Sequence, residues 1–542
     1  MRSTRWLLWA SVFFIGFLSD QTVYAQSVSQ QGRNPVIWAD VPDVSVIRVG
    51  DMYYMASTTM HMSPGVPIMK SKNLVDWETA GYVYDVMANA DVLAMRGGQN
   101  AYGRGSWASS LRYHEGTYYL ATFSYTTGEN YIFTTHDIEN GPWYKESLGG
   151  LYHDQSLFFD DDGRTYLIYG VGNIRILELT SDAQAVMRGG IDRILIYDAG
   201  KPAGESLGLP GEGSQMFKVN GTYYLFLIVW PRGGMRTVVV QRAKRLDGPW
   251  EGRVVLQDAG IAQGGIVDTP EGNWYAMLFG DRGAVGRIPY LVPMTWEDGW
   301  PVLGIDGKVP ERLDIPSDGT NAAGIVASDE FDDDQLGLAW QFNHNPARNL
   351  WSLTERPGYF RIKTGRRDPG FVDARNTLTQ RTFGPESTAS TSLDVSGLND
   401  GDVAGLGLLA ADYGYVGVKK EGGQVSVVMV AYRDGEAQEV KHVPVNQDVV
   451  YLKADANFRD QLDQATFSYS LDGETWTPIG DTLQMRYTLV HFMGYRFGLF
   501  VYATKQPGGW ADFDYFRLEG LEQSDRFGSR SQYEESHRTP EN

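Results

Sequence analysis

Cysteine is absent from the 542 residues of this chain. Its absence excludes disulfides, thiol chemistry and thiolate metal sites, and removes the residue on which a bacterial lipid anchor is built. Positive charge is in short supply: 47 Lys and Arg against 67 Asp and Glu give a formal net charge of -20. No Lys/Arg cluster interrupts that balance, so neither a nucleic-acid backbone nor an anionic membrane surface is an expected partner. Long apolar runs are scarce too. The stretch from Trp6 to Leu18 is about a dozen residues, short for a bilayer span, and membrane insertion is not expected. It follows Arg2 and Arg5 and precedes Val23-Tyr24-Ala25, in which Val23 and Ala25 offer the small side chains a signal peptidase reads. Residues 1–25 therefore read as an export signal, and the mature protein is expected in the periplasm or outside the cell.

What the chain has in quantity is apolar and aromatic surface. Hydrophobic residues make up 42 %, with 15 Trp and 31 Tyr, which excludes wholesale disorder. Flat rings with polar tips suit sugar stacking, although all-β folds also use them heavily. The length calls for more than one domain.

Five segments share a pattern of alternating apolar run, turn and aromatic strand. They centre on Tyr53-Tyr54, Tyr118-Tyr119, Tyr166-Leu167, Tyr223-Tyr224 and Trp274-Tyr275, about 47 to 65 residues apart, the size of a four-stranded propeller blade. Secondary echoes at Leu74 to Trp77, Gly141 to Trp143 and Gly248 to Trp250 fall where outer strands or their turns belong. An array of β-sandwiches is the alternative, and the regular spacing argues against it. The expected fold is all-β: a five-bladed β-propeller over residues 34–315, then an antiparallel β-sandwich over 325–520. The small, polar stretch Pro316 to Gly324 marks the linker. Alternating segments at Tyr359 to Lys363, Ser390 to Asp394, Val425 to Met429 and Ala465 to Tyr469, with the turn Asp472-Gly473, supply sandwich strands and a hairpin. Residues 521–542 are polar and charged and read as a disordered tail.

Three times a carboxylate stands two residues before a serine: Asp43-Val44-Ser45, Asp154-Gln155-Ser156 and Glu212-Gly213-Ser214. Acids at one phase of a repeat share one face of the fold, and repeats around an axis bring them together. Converging carboxylates are what glycoside hydrolysis needs, one to protonate the leaving oxygen and one to activate water or attack carbon. Taken singly, each acid is equally well a turn or strand-end cap.

The motifs around these acids resemble those of family 43 glycoside hydrolases. Asn34-Pro35 followed by Pro42 to Arg48 is similar to the family's opening, as is Pro64 to Ile68 leading to Ser71 to Trp77. His153 to Phe158 and Gly211 to Ser214 are similar to its second and third acidic motifs, and Trp296 to Pro301 to the close of its propeller. The second half resembles the concanavalin-like domain of its two-domain xylosidase/arabinofuranosidase members. The resemblance implies an inverting enzyme acting on arabinose- or xylose-containing oligo- or polysaccharides. It makes Asp43 the general base, Glu212 the general acid with a raised pKa, and Asp154 the third acid that orients and tunes Glu212. It also points to Arg287 and Trp107 as substrate-binding residues, against structural-arginine and core-packing alternatives. His61, in the loop after the first inner strands, either faces substrate or is a solvated loop residue.

Two departures from the family pattern stand out. Gln263 occupies a position where many members carry a histidine beside a central metal, so a propeller metal is not expected and no cofactor is required. Met60 to Ser63 replaces large aromatics before the Pro-Gly-Val segment, which favours an arabinofuranose-accepting site over a xylose-specific one. Asp329 and Asp514 lie where similar sandwiches hold a structural calcium, and acidic strand caps are the alternative. The leading expectation is an exo-acting α-L-arabinofuranosidase, with β-D-xylosidase next and a non-catalytic carbohydrate-binding propeller as the competitor from another class.

Overall fold

The computed structural model describes residues 30–319, 321–433 and 435–521. The expected export signal and, Leu521 apart, the expected tail lie outside the described residues.

Five four-stranded antiparallel sheets follow one another along the first half of the chain. The first blade is Ser45–Val49, Met52–Ala56, Gly65–Ser71 and Glu78–Tyr84. The second begins with Ser106–His114, the third with Ser156–Phe159, the fourth with Leu207–Val219 and the fifth with Ala262–Asp268. The first strands of successive blades contact one another in a closed ring, which makes the assembly a propeller. Each aromatic pair read from the sequence lies in a second strand, between neighbours on both sides. Burial on both faces explains why these strands read as near-continuous apolar runs, as in Thr222–Pro231, where all but the last two residues are buried. Asn220 and Gly221 join that strand to the one before it, at φ 50° and 70°, the left-handed pair that a tight hairpin turn requires.

The recurring serine has a structural explanation. Ser45 Oγ accepts from the Leu111 amide at 2.9 Å, Ser110 Oγ from Leu157 at 3.0 Å, and Ser156 Oγ from Met216 at 2.9 Å. Each of these serine hydroxyls stitches one inner strand to the next, so Asp43 and Asp154, each two residues before such a serine, come to the same end of the axis. Arg112 crosses this ring. Its guanidinium donates to Ser156 Oγ at 2.8 Å and Gln215 Oε1 at 3.1 Å, and burial pulls its pKa down to about 10. Two contacts close the circle: Gln30–Arg33 pairs with Arg312–Ser317, and buried Asn34 bonds Leu291 through both ends of its amide.

The second half packs an eight-stranded sheet on a nine-stranded one, a β-sandwich with inner faces rich in Phe, Leu and Val. Asp472 caps its expected turn, accepting the amides of Glu474 and Thr475. One strand of the eight comes from the propeller: Met62–Ser63 pairs with Gln341–Asn343. That pairing places His61 in the seam between the two halves. It is 2 % exposed, with its ring 4.6 Å from Tyr102 and 4.5 Å from His344, while Tyr102 stacks on His491 at 3.9 Å. Neither ring nitrogen of His61 has a hydrogen-bond partner.

The expectation of a solvated or substrate-facing loop is therefore corrected, and so is the expectation that Met60 to Ser63 walls a sugar site. These residues are strand-paired and buried because the sandwich covers them. Asp329 is also occupied by the protein itself. Its oxygens accept from the Phe331 amide at 2.8 Å and Trp340 Nε1 at 2.7 Å. The first and last sandwich segments meet through reciprocal Asp329–Phe516 backbone bonds. Asp514 lies nearby, its pKa raised by burial and by the charge of Glu330.

Candidate active site

Asp43 and Asp154 each stand two residues before a first strand, and both adopt left-handed backbone, at φ 53° and 49°. Glu212 reaches the same end of the axis differently. It lies in the long strand Leu207–Val219 at a point where the register shifts on both sides, and that bulge re-aims its side chain. The third Asp/Glu-x-Ser repeat is thus imperfect: Ser214 Oγ is buried without a partner. Gly213 beside it has φ 66°, and a Cβ there would meet the Gln263 side chain at 2.7 Å. Gln263 therefore fills the space beneath the acid, and only glycine fits opposite it.

The three carboxyls divide into two environments. Asp43 is 6 % exposed, and its Oδ1 receives Nη1 of Arg287 at 2.8 Å. Burial raises its pKa, the Arg287 charge opposes that, and Asp40 and Glu212 add to the rise. Among the described residues no hydrogen bond takes Asp43 Oδ2. Asp40 in turn fixes the neighbourhood, accepting the amides of Arg287 at 2.8 Å and Gly494 of the sandwich at 3.0 Å.

Asp154 and Glu212 form the other group. Asp154 Oδ2 accepts the Gly213 amide at 3.0 Å, clipping the third blade to the residue after the acid. Burial, with the charges of Glu212 and Asp43, pushes the Asp154 pKa up to about 7 against the pull of His153. Glu212 Oε2 meets His153 Nε2 at 3.0 Å, and Asp154 Oδ1 lies 3.7 Å from the same nitrogen. Burial lowers the His153 pKa, but the bond to Glu212 and the charges of Asp154, Glu212 and Asp43 outweigh it and leave the imidazole raised. The donor atoms of these three residues lie within 4.8 Å of one another, a compactness that direct hydrogen bonding between His153 and Glu212 accounts for.

Arg287 belongs to the site as the ion-pair partner of Asp43. Its Nε and Nη2 are buried with no protein partner, which leaves two donors for a ligand hydroxyl. Trp107 spans from the acid side to the sandwich, with ring centroids 5.9 Å from His153, 5.0 Å from Tyr125 and 5.0 Å from Phe492 in a stacked pair. Its Nε1 is likewise buried and unpartnered.

Sequence reasoning missed several residues. His153 stood in a quoted motif next to Asp154, and its titratable ring was the available signal. Phe492 comes from the sandwich, under the Arg287 guanidinium at 4.6 Å. Tyr487 follows it into the site with a buried, unpartnered hydroxyl, its pKa raised by burial against the Arg287 charge. No repeat or motif announced this loop.

An arginine-held aspartate and a second carboxyl pair kept in a different protonation environment are the requirement of glycosidic bond cleavage, and the class follows: this is a glycoside hydrolase. The chain belongs to glycosyl hydrolases family 43, whose family description matches residues 32–301, and residues 328–519 match the beta xylosidase C-terminal concanavalin A-like domain. It is 30 % identical to the beta-xylosidase of Formosa agariphila, over 90 % of each chain. It is 28 % identical to the non-reducing end alpha-L-arabinofuranosidase BoGH43B of Bacteroides ovatus, over 90 % of this chain and 95 % of that one. A solved structure of a bifunctional GH43-CE from Bacteroides eggerthii is 56 % identical with a TM-score of 0.89. The match covers 92 % of this chain but only 64 % of that protein.

Proposed function

We propose that the enzyme is an exo-acting, inverting glycosidase that releases a terminal α-L-arabinofuranosyl unit from plant cell-wall oligo- or polysaccharide. The observation that carries the mechanism is the separate tethering of Asp43 and Glu212. Arg287 holds Oδ1 of Asp43 and favours its ionised form, leaving Oδ2 to take a proton from water as the water oxygen joins the anomeric carbon. Glu212, tethered through Oε2, has Oε1 to protonate the departing oxygen. Asp154, whose carboxylate takes the Gly213 amide beside the acid, orients Glu212 and makes no bond to the sugar. Unpartnered donors on Arg287 and Trp107 supply sugar hydroxyl contacts, and the Phe492 loop against Trp107 supports a site blocked on one side, hence exo action.

The arabinofuranosyl reading draws support from the relative named for that activity. β-D-Xylosidase is the second reading, favoured by the relative at 30 % identity that bears that name. Export remains the proposed location, on Arg2, Arg5 and the apolar run after them. Hydrolysis of paired nitrophenyl α-L-arabinofuranoside and β-D-xyloside under one set of conditions tests the proposal. Faster arabinofuranoside turnover is expected, the reverse order selects the xyloside, and no turnover of either removes the exo-pentosidase reading.

A further inference from the structure

We propose that His153 is the positioning residue of the general acid: by occupying Oε2 of Glu212 it confines the transferable proton to Oε1, and Tyr125 sets the imidazole tautomer in which it does so. This rests on the reading of Glu212 as the acid.

The geometry is a continuous chain. The Tyr125 hydroxyl lies 3.0 Å from His153 Nδ1, and His153 Nε2 lies 3.0 Å from Glu212 Oε2. Trp107 and Phe123 pack beside the imidazole, at 5.9 and 5.4 Å, and limit its rotation. The Tyr125 pKa is raised by burial and by the charges of Asp154 and Glu212, so the phenol keeps its proton and donates it to Nδ1. A neutral imidazole accepting at Nδ1 carries its hydrogen on Nε2 and donates to Oε2. An oxygen already accepting an N–H is the carbonyl side of a protonated carboxyl, which leaves the O–H on Oε1.

During the reaction that proton moves from Oε1 to the leaving-group oxygen as its bond to the anomeric carbon breaks, and Glu212 becomes anionic. The Nε2–H bond then becomes charge-assisted and strengthens, so its contribution is greater in the transition state than in the ground state. The charged and titratable groups facing the ring are Tyr125 from the second blade, Asp154 beside it, Glu212 from the fourth blade and Asp43 from the first. All are acids, so the imidazole gains charge readily as pH falls. An imidazolium beside Glu212 favours loss of the acid's proton, so the neutral tautomer is the working one.

The test compares kcat/KM for activated aryl glycosides and unactivated alkyl glycosides in wild type, His153→Leu, His153→Gln, Tyr125→Phe and Glu212→Gln. General-acid assistance is worth about 100- to 10,000-fold where the leaving group is poor. His153→Leu is expected to lose about 100-fold on alkyl glycosides and about tenfold or less on nitrophenyl ones. His153→Gln, whose amide nitrogen stands near the Nε2 position, should recover most of that loss. Tyr125→Phe should lose about tenfold in the same leaving-group-dependent sense, with a displaced pH profile.

Equal losses on both substrate types, or no rescue by Gln, would overturn the proposal. Should His153→Leu fail to fold, the Gln and Tyr125→Phe variants decide it. Wild-type leaving-group dependence and an unmoved pH profile in Tyr125→Phe would overturn the tautomer assignment. Glu212→Gln separates the two claims. If it shows no leaving-group dependence, the reading of Glu212 has failed; if it does and His153→Leu does not, only the inference has.

Discussion

Left-handed backbone at Asp43 and Asp154 is tolerated because the short Asp side chain suits that region better than most, and Asn suits it equally. Asp43→Asn should therefore keep the fold and the melting temperature while removing the carboxylate proposed to deprotonate water. Turnover is expected to fall about 1,000-fold or more, with substrate binding retained; a wild-type kcat would remove the base assignment. Asp154→Asn acts on the acid through charge. In the proposed mechanism a negative charge on buried Asp154 opposes a second negative charge on the neighbouring acid. A neutral isostere removes that repulsion. The alkaline limb of kcat/KM should then move down in pH, with a smaller rate loss than for Asp43→Asn. A profile superimposable on wild type would show that Asp154 does not tune the acid.

Strands and loops differ in how much of their role the sequence exposes. The second strand of each blade was legible because burial on both faces leaves an aromatic, apolar signature that repeats. Asp43 and Asp154 were legible because the hydroxyl bonds of Ser45 and Ser156 impose a common phase on their inner strands, whereas Glu212 shares the sequence pattern but is placed by a bulge. The loop carrying Tyr487 and Phe492 obeys no period, and its function depends on contact with Arg287 and Trp107, far away in the chain. His61 was misread for a related reason: its loop is covered by a strand, Gln341–Asn343, that no local pattern connects to it. Phe492→Ala tests the loop's part in the site. Losing the stacked pair with Trp107 and the cation–π contact with Arg287 leaves both proposed sugar-contacting side chains less well held, so KM should rise about tenfold with kcat within about threefold. A change confined to kcat would place Phe492 in the chemical step instead.

In the molecule taken together, the seam between propeller and sandwich gathers buried histidines that make it sensitive to pH. His61, His344 and His491 are buried there, and burial, with mutual repulsion at His61 and His344, depresses all three imidazoles, the last two to about 3. In the unfolded chain they titrate near 6.5. Below that pH the unfolded state binds more protons, so stability is full above about 6.5 and is lost as pH falls towards about 3, by about 1.4 kcal/mol per unit for each histidine. Thermal midpoints measured from pH 7 to 4 should fall steeply, and His491→Phe, which preserves the ring stack on Tyr102, should flatten the slope; an unchanged slope would place the acid sensitivity elsewhere. The seam also bears on how the protein is made. Pro64 and the sandwich residue Gln341 that bonds its carbonyl are 277 positions apart, and Met62–Ser63 waits for the strand beside that glutamine. Domains fold as they emerge from the ribosome, the N-terminal one first. The nascent propeller thus passes most of its own synthesis with His61 uncovered and a short strand edge open to foreign pairing, and its candidate site is not complete until the sandwich residue Phe492 reaches Trp107 and Arg287.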